Sequence, residues 1–265
     1  MAQTLARRPS SSGFPVGGSS GTTVSVLQRF ESANADGSTV TTADLITTGL
    51  GSLPGGAWTA NGTGAATTLK VSTAAEVQVG GLQVGGGSGL GDASGTKGIS
   101  VDFSAALNGR FAQYAFTGIS KISFGFALKW SAAFTGGSFN LYDMGALEGS
   151  LNYLAVSYED FSGAQLIRCH TNSGDSTTTI SIATNTQYWV TGIYDGPGLI
   201  ARLRLYTYPS LTQVGSESTQ VVTNTTMDRC SCGRYDAHGV SGPGVAFWDD
   251  FVIDGVSAIF PLLPT

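Results

Sequence analysis

Near the C-terminus, the run Gly244-Val-Ala-Phe-Trp-Asp-Asp-Phe-Val-Ile-Asp254 sets three carboxylates inside an otherwise hydrophobic strand pattern. A charge held among Phe, Trp, Val and Ile is costly unless hydrogen bonds or a cation compensate it. Strict alternation along a strand sends Asp249 and Asp250 to opposite faces. One then meets solvent or a cation at a loop rim, and the other receives backbone N–H groups near a sheet edge. Calcium takes about 6–8 oxygen ligands, more than two aspartates supply. The expectation is therefore structural hydrogen bonding and no cofactor, with Asp249 and Asp250 as the calcium candidates.

A second group of polar side chains precedes that run. Asp228, Arg229, Arg234, Tyr235, Asp236 and His238 lie within Gly/Ser-rich sequence. On their types alone these residues read as a solvated loop or a subunit contact. A Ser-His-Asp arrangement through His170 or His238 has no G-x-S-x-G context to support it. Gly80 to Gly91 lacks the G-x-x-x-x-G-K-[ST] pattern of a phosphate loop. Cys230 and Cys232 share a strand face, a poor geometry for a mutual disulfide, and Cys169 stands alone. All three read as small buried side chains.

The elements that must position these groups are short strands. Ile119 to Trp130 alternates, with Ile122, Phe124, Phe126 and Leu128 on one face. Further strands are expected at Thr23–Phe30, Gly98–Phe103, Ser138–Asp143, Tyr153–Tyr158, Ala164–Cys169, Thr177–Ile182, Gln187–Tyr194, Ile200–Tyr206 and 246–254. Glu159 and Asp160 fall in the turn between two of them. Thr41 to Thr47 reads as a short helix, because a Thr precedes an acidic first turn. Trp58, Trp130, Trp189 and Trp248 lie within strands and are expected in the core. Period-2 patterning at about ten-residue spacing predicts an all-β antiparallel sandwich. The predicted organisation is an extended N-terminal arm over residues 1–22 and one β-sandwich domain over 23–265.

Composition narrows the partners. Of 265 residues, 38 are Gly and 12% are charged, a surface of Ser, Thr, Asn and Gly common in extracellular and virion proteins. The net charge of −5 and the lack of a basic patch with aromatics argue against nucleic acid. No stretch approaches the ~20 apolar residues of a membrane span, and no apolar stretch follows Arg7-Arg8 as in a secretory signal. The arm is too poor in apolar side chains to fold alone. It is expected to dock on a neighbouring subunit, with Phe14 and Val16 as anchors and Arg7 and Arg8 meeting acidic groups.

The order of Ile122–Trp130, the aromatic strand Gln187–Tyr194 running into Asp195-Gly196, the alternating Ala201–Tyr206 and the paired-acid strand Trp248–Asp254 resembles the laminin-G-like, concanavalin A-like jelly rolls. The resemblance spans residues 23 to 260. It implies a two-sheet jelly-roll sandwich of the lectin and glucanase kind. It also implies polar and aromatic loop residues that contact sugars, which makes Asp228, Arg234, Tyr235, Asp236 and His238 the candidate ligand-binding residues. The glycosidase branch carries E-x-D-x-x-E or E-x-D-x-E on one strand, with the two acids about 5–5.5 Å apart for retention. The five glutamates, Glu31, Glu76, Glu148, Glu159 and Glu217, all fall in different segments. The resemblance thus points to a non-enzymatic protein. The leading expectation is a structural component of a virus particle, such as a bacteriophage capsid decoration, head-fibre or tail protein. It would be a homo-oligomer contacting other virion subunits at the virion surface, made in the host cytoplasm. The alternative is a carbohydrate-binding module or lectin for glycan attachment. A glycoside hydrolase comes third.

Overall fold

The computed structural model describes residues 25–28, 30, 32–51, 53–61, 69–72, 97–102, 110–131, 142–149, 153–161, 164–208, 210–234 and 245–263. The arm with Arg7, Arg8, Phe14 and Val16, the glycine run 80–91, and Tyr235, Asp236 and His238 lie outside the described residues.

Among the described residues there are seventeen strands and one helix. In chain order they are β1 (Val26–Gln28), α1 (Thr42–Thr48), β2 (Gly49–Gly51), β3 (Ala57–Asn61), β4 (Lys70–Ser72) and β5 (Gly98–Asp102). Next come β6 (Arg110–Ile119), β7 (Lys121–Trp130), β8 (Tyr142–Glu148), β9 (Tyr153–Phe161), β10 (Ala164–Thr171), β11 (Gly174–Asp175) and β12 (Ile180–Ser181). The chain ends with β13 (Gln187–Asp195), β14 (Ile200–Thr207), β15 (Gln213–Val221), β16 (Met227–Arg234) and β17 (Val245–Asp254).

They form two antiparallel sheets. Sheet A runs β15-β14-β13-β7-β17-β1-β2, with β5 and β4 added beside β17. Sheet B runs β11-β10-β9-β8-β16-β6-β3, with β12 beside β10. The chain crosses repeatedly between sheets: β6 lies in sheet B, β7 in A, β8 to β10 in B, β13 to β15 in A, β16 in B and β17 in A. Repeated crossing of this kind makes the fold a jelly-roll sandwich. Crossing lets the two apolar faces meet as one core. Ile122, Phe124, Phe126 and Leu128 of β7 point into it with Trp58, Tyr114, Trp248 and Phe251. Phe124, Phe126 and Phe251 lie within 6.4 Å of one another, ring centre to ring centre.

Helix α1 forms where expected. Asp44 closes a capping box, with the Thr41 backbone N–H donating to its Oδ2 at 2.8 Å. Ser32 and Asn34 donate to the other oxygen at 2.6 and 2.8 Å. Burial raises the pKa of Asp44, but these donors outweigh it and hold the carboxyl below its ordinary value.

One expectation is corrected. β9 continues through Phe161, so Glu159 and Asp160 are not turn residues; they pair with Leu166 and Gln165. Of the strand expected at Ser138–Asp143, Tyr142 and Asp143 open β8, and residues 138–141 lie outside the described residues. β6 and β15 carry no strand expectation from the sequence. β15, Gln213–Val221, is largely polar because it is an edge strand. In β6 the core-facing side chains are Ala112, Tyr114 and Phe116, and Gly118 interrupts the alternation.

Candidate functional site

The outer face of sheet A is not open. Residues 255–263 fold back across it, so Leu27, Ala127, Trp189, Tyr206, Val252 and Leu262 form a second apolar cluster. The Trp189 Nε1–H donates to the Leu262 carbonyl at 2.7 Å, and the Leu262 N–H donates to Thr191 Oγ1 at 3.1 Å. Arg204 lies 5.0 Å over the Phe260 ring while its Nε–H donates to Glu217 at 2.6 Å. This strap explains why β13 and β17 are buried along almost their whole length. Trp189 therefore packs in the outer cluster, whereas Trp58, Trp130 and Trp248 join the main core.

The paired acids sit at a break in sheet A. β17 pairs with β5 up to Trp248 and with β1 from Phe251, and its register on β7 shifts between Asp249 and Val252. Asp250 takes the left-handed conformation there, with φ 47°. The extra residue of this bulge lets Trp248 and Phe251 both face the core. Asp249 and Asp250 do not part to opposite faces, as simple alternation predicts. Both come to the strap side, where Tyr208 feels their charge: burial raises the Tyr208 pKa, and Asp250 and then Asp249 add to it. The Asp250 N–H donates to Asp249 Oδ1 at 2.8 Å. Among the described residues no group of three or more His, Cys, Asp or Glu side chains could hold a metal ion. Asp254 anchors the strap: its oxygens accept from the Val256 and Ser257 N–H groups at 3.1 and 3.2 Å and from Ser257 Oγ at 2.5 Å.

Sheet B presents a different outer face. On β10, Gln165, Ile167, Cys169 and Thr171 are buried while Arg168 and His170 alternate outward. The short turn to β11 brings Asp175 opposite His170. His170 Nδ1 lies 2.5 Å from Asp175 Oδ1, and Arg168 Nη2 lies 2.8 Å from Asp175 Oδ2. A carboxylate only accepts, so Nδ1 carries the proton. In the neutral ring, Nε2 then accepts from the Tyr153 hydroxyl at 2.6 Å. The Tyr153 and His170 rings are 5.1 Å apart. The chain Tyr153–His170–Asp175–Arg168 is thus pre-ordered and half-exposed.

The same face continues across the sheet. One cross-strand row runs Thr59, Gln113, Ser231, Ala146, Ala155, His170 and Asp175. The adjacent row runs Ala57, Ala115, Arg229, Glu148 and Tyr153. Arg229 Nε donates to Asp228 at 2.8 Å. Ala155, Ser157 and Ser231 are buried on this face, and the Ser231 hydroxyl has no hydrogen-bond partner among the described residues.

Strand β16 separates the sequence-predicted ligand cluster. Asp228 lies near its start and Arg234 at its end, about 20 Å apart at ~3.3 Å per residue. None of Tyr153, Arg168, His170 and Asp175 is among the sequence-predicted site residues, and the Ser-His-Asp arrangement weighed for His170 lacked a supporting motif. The three cysteines are buried, and none forms a disulfide among the described residues. Burial raises the Cys169 and Cys232 thiol pKa values, and the charge of Asp175 adds to that of Cys169.

The sequence matches no family profile and no curated protein. In structure it is similar to the Lotus tetragonolobus seed lectin, at 9% identity and a TM-score of 0.39, covering 58% of this chain and 85% of that one. A similar likeness holds for the cellulose induced protein Cip1, at 11% identity and 0.44, covering 75% and 90%. The xylan beta-1,4-xylosidase of Bacillus halodurans follows at 8% and 0.42, with 59% of this chain and 32% of that one covered. At that level of likeness no ligand or reaction carries over to this chain.

Proposed function

We propose that the chain is a non-enzymatic carbohydrate-binding jelly-roll module whose ligand face is the outer side of sheet B. The observation that carries this reading is the asymmetry of the two outer faces. Sheet A is closed by the strap, packed on Trp189 and Val252. Sheet B offers half-exposed, mutually hydrogen-bonded Tyr, His, Asp and Arg groups. Sugar recognition needs such groups held in place in advance, because ordering them on binding costs entropy. Both oxygens of Asp175 are engaged, and Glu217 is bound to Arg204 on the other sheet. Neither is a candidate for a hydrolytic carboxylate pair. A glycan array probed with the full chain tests this reading; binding that fades in His170→Ala while the melting temperature holds supports it, and a blank array removes it.

A second reading, a structural component of a virus particle, is favoured by the low charge of 12% and the 38 glycines. The two are compatible if the sandwich faces outward from a particle. Sedimentation decides: co-migration with particles supports it, and a free monomer in particle-producing cells sinks it.

A further inference from the structure

We propose that the outer side of the strap is the docking surface for the N-terminal arm of a second copy of this chain. The surface lies on the sheet opposite the glycan face, so the assignment is independent of what sheet B binds.

The strap closes sheet A but leaves a second apolar layer above it. Trp189 and Leu262 are buried beneath, while Tyr208, Leu211, Ile259 and Leu263 pack on the same cluster and stay half-exposed. Phe260 is half-exposed too, with Arg204 over one face of its ring. At the root of the strap Val256 is 87% exposed. Single apolar side chains scattered on a surface need no explanation, but a group of them packed together marks a contact surface. Charge does not compete there, because Arg204 is held by Glu217 at 2.6 Å.

The direction of the chain names the occupant. Among the described residues the chain starts at Ser25, whose hydroxyl donates to Asp254 Oδ1 at 3.3 Å and accepts from the Gly255 N–H at 3.1 Å. β1 lies antiparallel to β17, with Val26 opposite Ile253. Traced backwards from Val26, the chain therefore points off the end of sheet A where β17 finishes. The strap goes the other way. Ser123, opposite Asp254, pairs with Ile193, whereas Leu262 is bound by Trp189, further back along β13. That step carries the far end of the strap about 13 Å back over the face, at ~3.3 Å per residue. The chain before Ser25 thus heads away from its own strap and toward a neighbour at that end.

The arm has the matching chemistry and reach. Between Pro9 and Gly21 every residue except Phe14 and Val16 is Ser, Gly or Pro. Those two are the anchors, and the rest is spacer. The stretch from Val16 to Ser25 spans up to ~30 Å when extended, as much as strap residues 255–263 would. Ordering a spacer of this kind is costly for each residue, so the association depends on concentration.

Sedimentation of the full chain over a concentration series is the first test. Reversible self-association is expected, weakened about ten- to hundredfold by Phe14→Ala through the loss of one buried aromatic anchor. Leu263→Ser should weaken it as well. If Leu263→Ser fails to fold, Phe14→Ala still decides, since it precedes the sandwich domain in sequence. The place is mapped by photo-cross-linking with Phe14→p-benzoylphenylalanine in a mixture of isotope-labelled and unlabelled full chains. Cross-links between differently labelled chains, from position 14 to residues 208–211 or 259–263, support the proposal. Cross-links confined to single chains would make the arm a cover for its own strap and overturn it. A chain that stays monomeric at every concentration, association unchanged by Phe14→Ala, or cross-links to other surfaces each overturn it too.

Discussion

At Asp254, one buried carboxylate holds the turn from β17 into the strap. Asp254→Ala strands those donors and should cost about 2–4 kcal/mol in a denaturant titration; a loss under about 1 kcal/mol would mean that the strap holds without it. Asp44 predicts an acid limb. Its folded pKa is depressed, so its contribution is present above the unfolded value near 3.8 and disappears as pH falls through the folded value. Asp44→Asn should lower the melting temperature at neutral pH, and the gap to the parent should close below about pH 4. A gap that stays constant with pH would assign the effect to shape rather than charge. Asp195, held low by Lys121 and the Gly198 N–H against the opposing effect of burial, acts in the same direction.

At the scale of elements, β7 and β13 interlock through two glycines. A Cβ on Gly125 would stand 2.8 Å from the Trp189 ring, and one on Gly192 would stand 2.7 Å from Phe124. The first contact lies on the strap side and the second in the core, so each glycine admits one aromatic ring. Gly125→Ala or Gly192→Ala should destabilise by ~1–3 kcal/mol through overpacking. The strap is tested by Leu262→Ala, where a fully buried side chain is removed. A loss of about 2–5 kcal/mol with new dye-binding apolar surface is expected; unaltered stability would mean that the strap is dispensable to sheet A.

For the whole molecule, the sandwich core begins at Val26 among the described residues. Deleting residues 2–22 should leave the melting temperature unchanged and should lower occupancy on an assembled particle if the arm is an attachment device. A collapse in melting temperature would instead make the arm part of the sheet. Chelation with EDTA should shift the melting temperature little, since hydrogen bonding is the proposed role of Asp249 and Asp250. A drop of many degrees, restored by calcium, would reverse that assignment.

The sequence by itself determined the all-β class, the inward face of β7, the burial of all four tryptophans and the short capped helix. Each depends on local periodicity or on a cap a few residues long. Tertiary structure decided the rest. β15 and β16 carry little hydrophobic alternation, because one is a polar edge and the other packs cysteines inward. The bulge at Asp249-Asp250 arises where β17 changes neighbours from β5 to β1, strands distant in sequence. The strap hides the outer face of sheet A, so strands that should alternate are buried on both sides. The row from Ser231 to His170 draws on β16, β8, β9 and β10, and Ser231 and His170 are brought together by sheet register alone. No local window of sequence contains that information, since the spacing that matters runs across the strands, not along the chain.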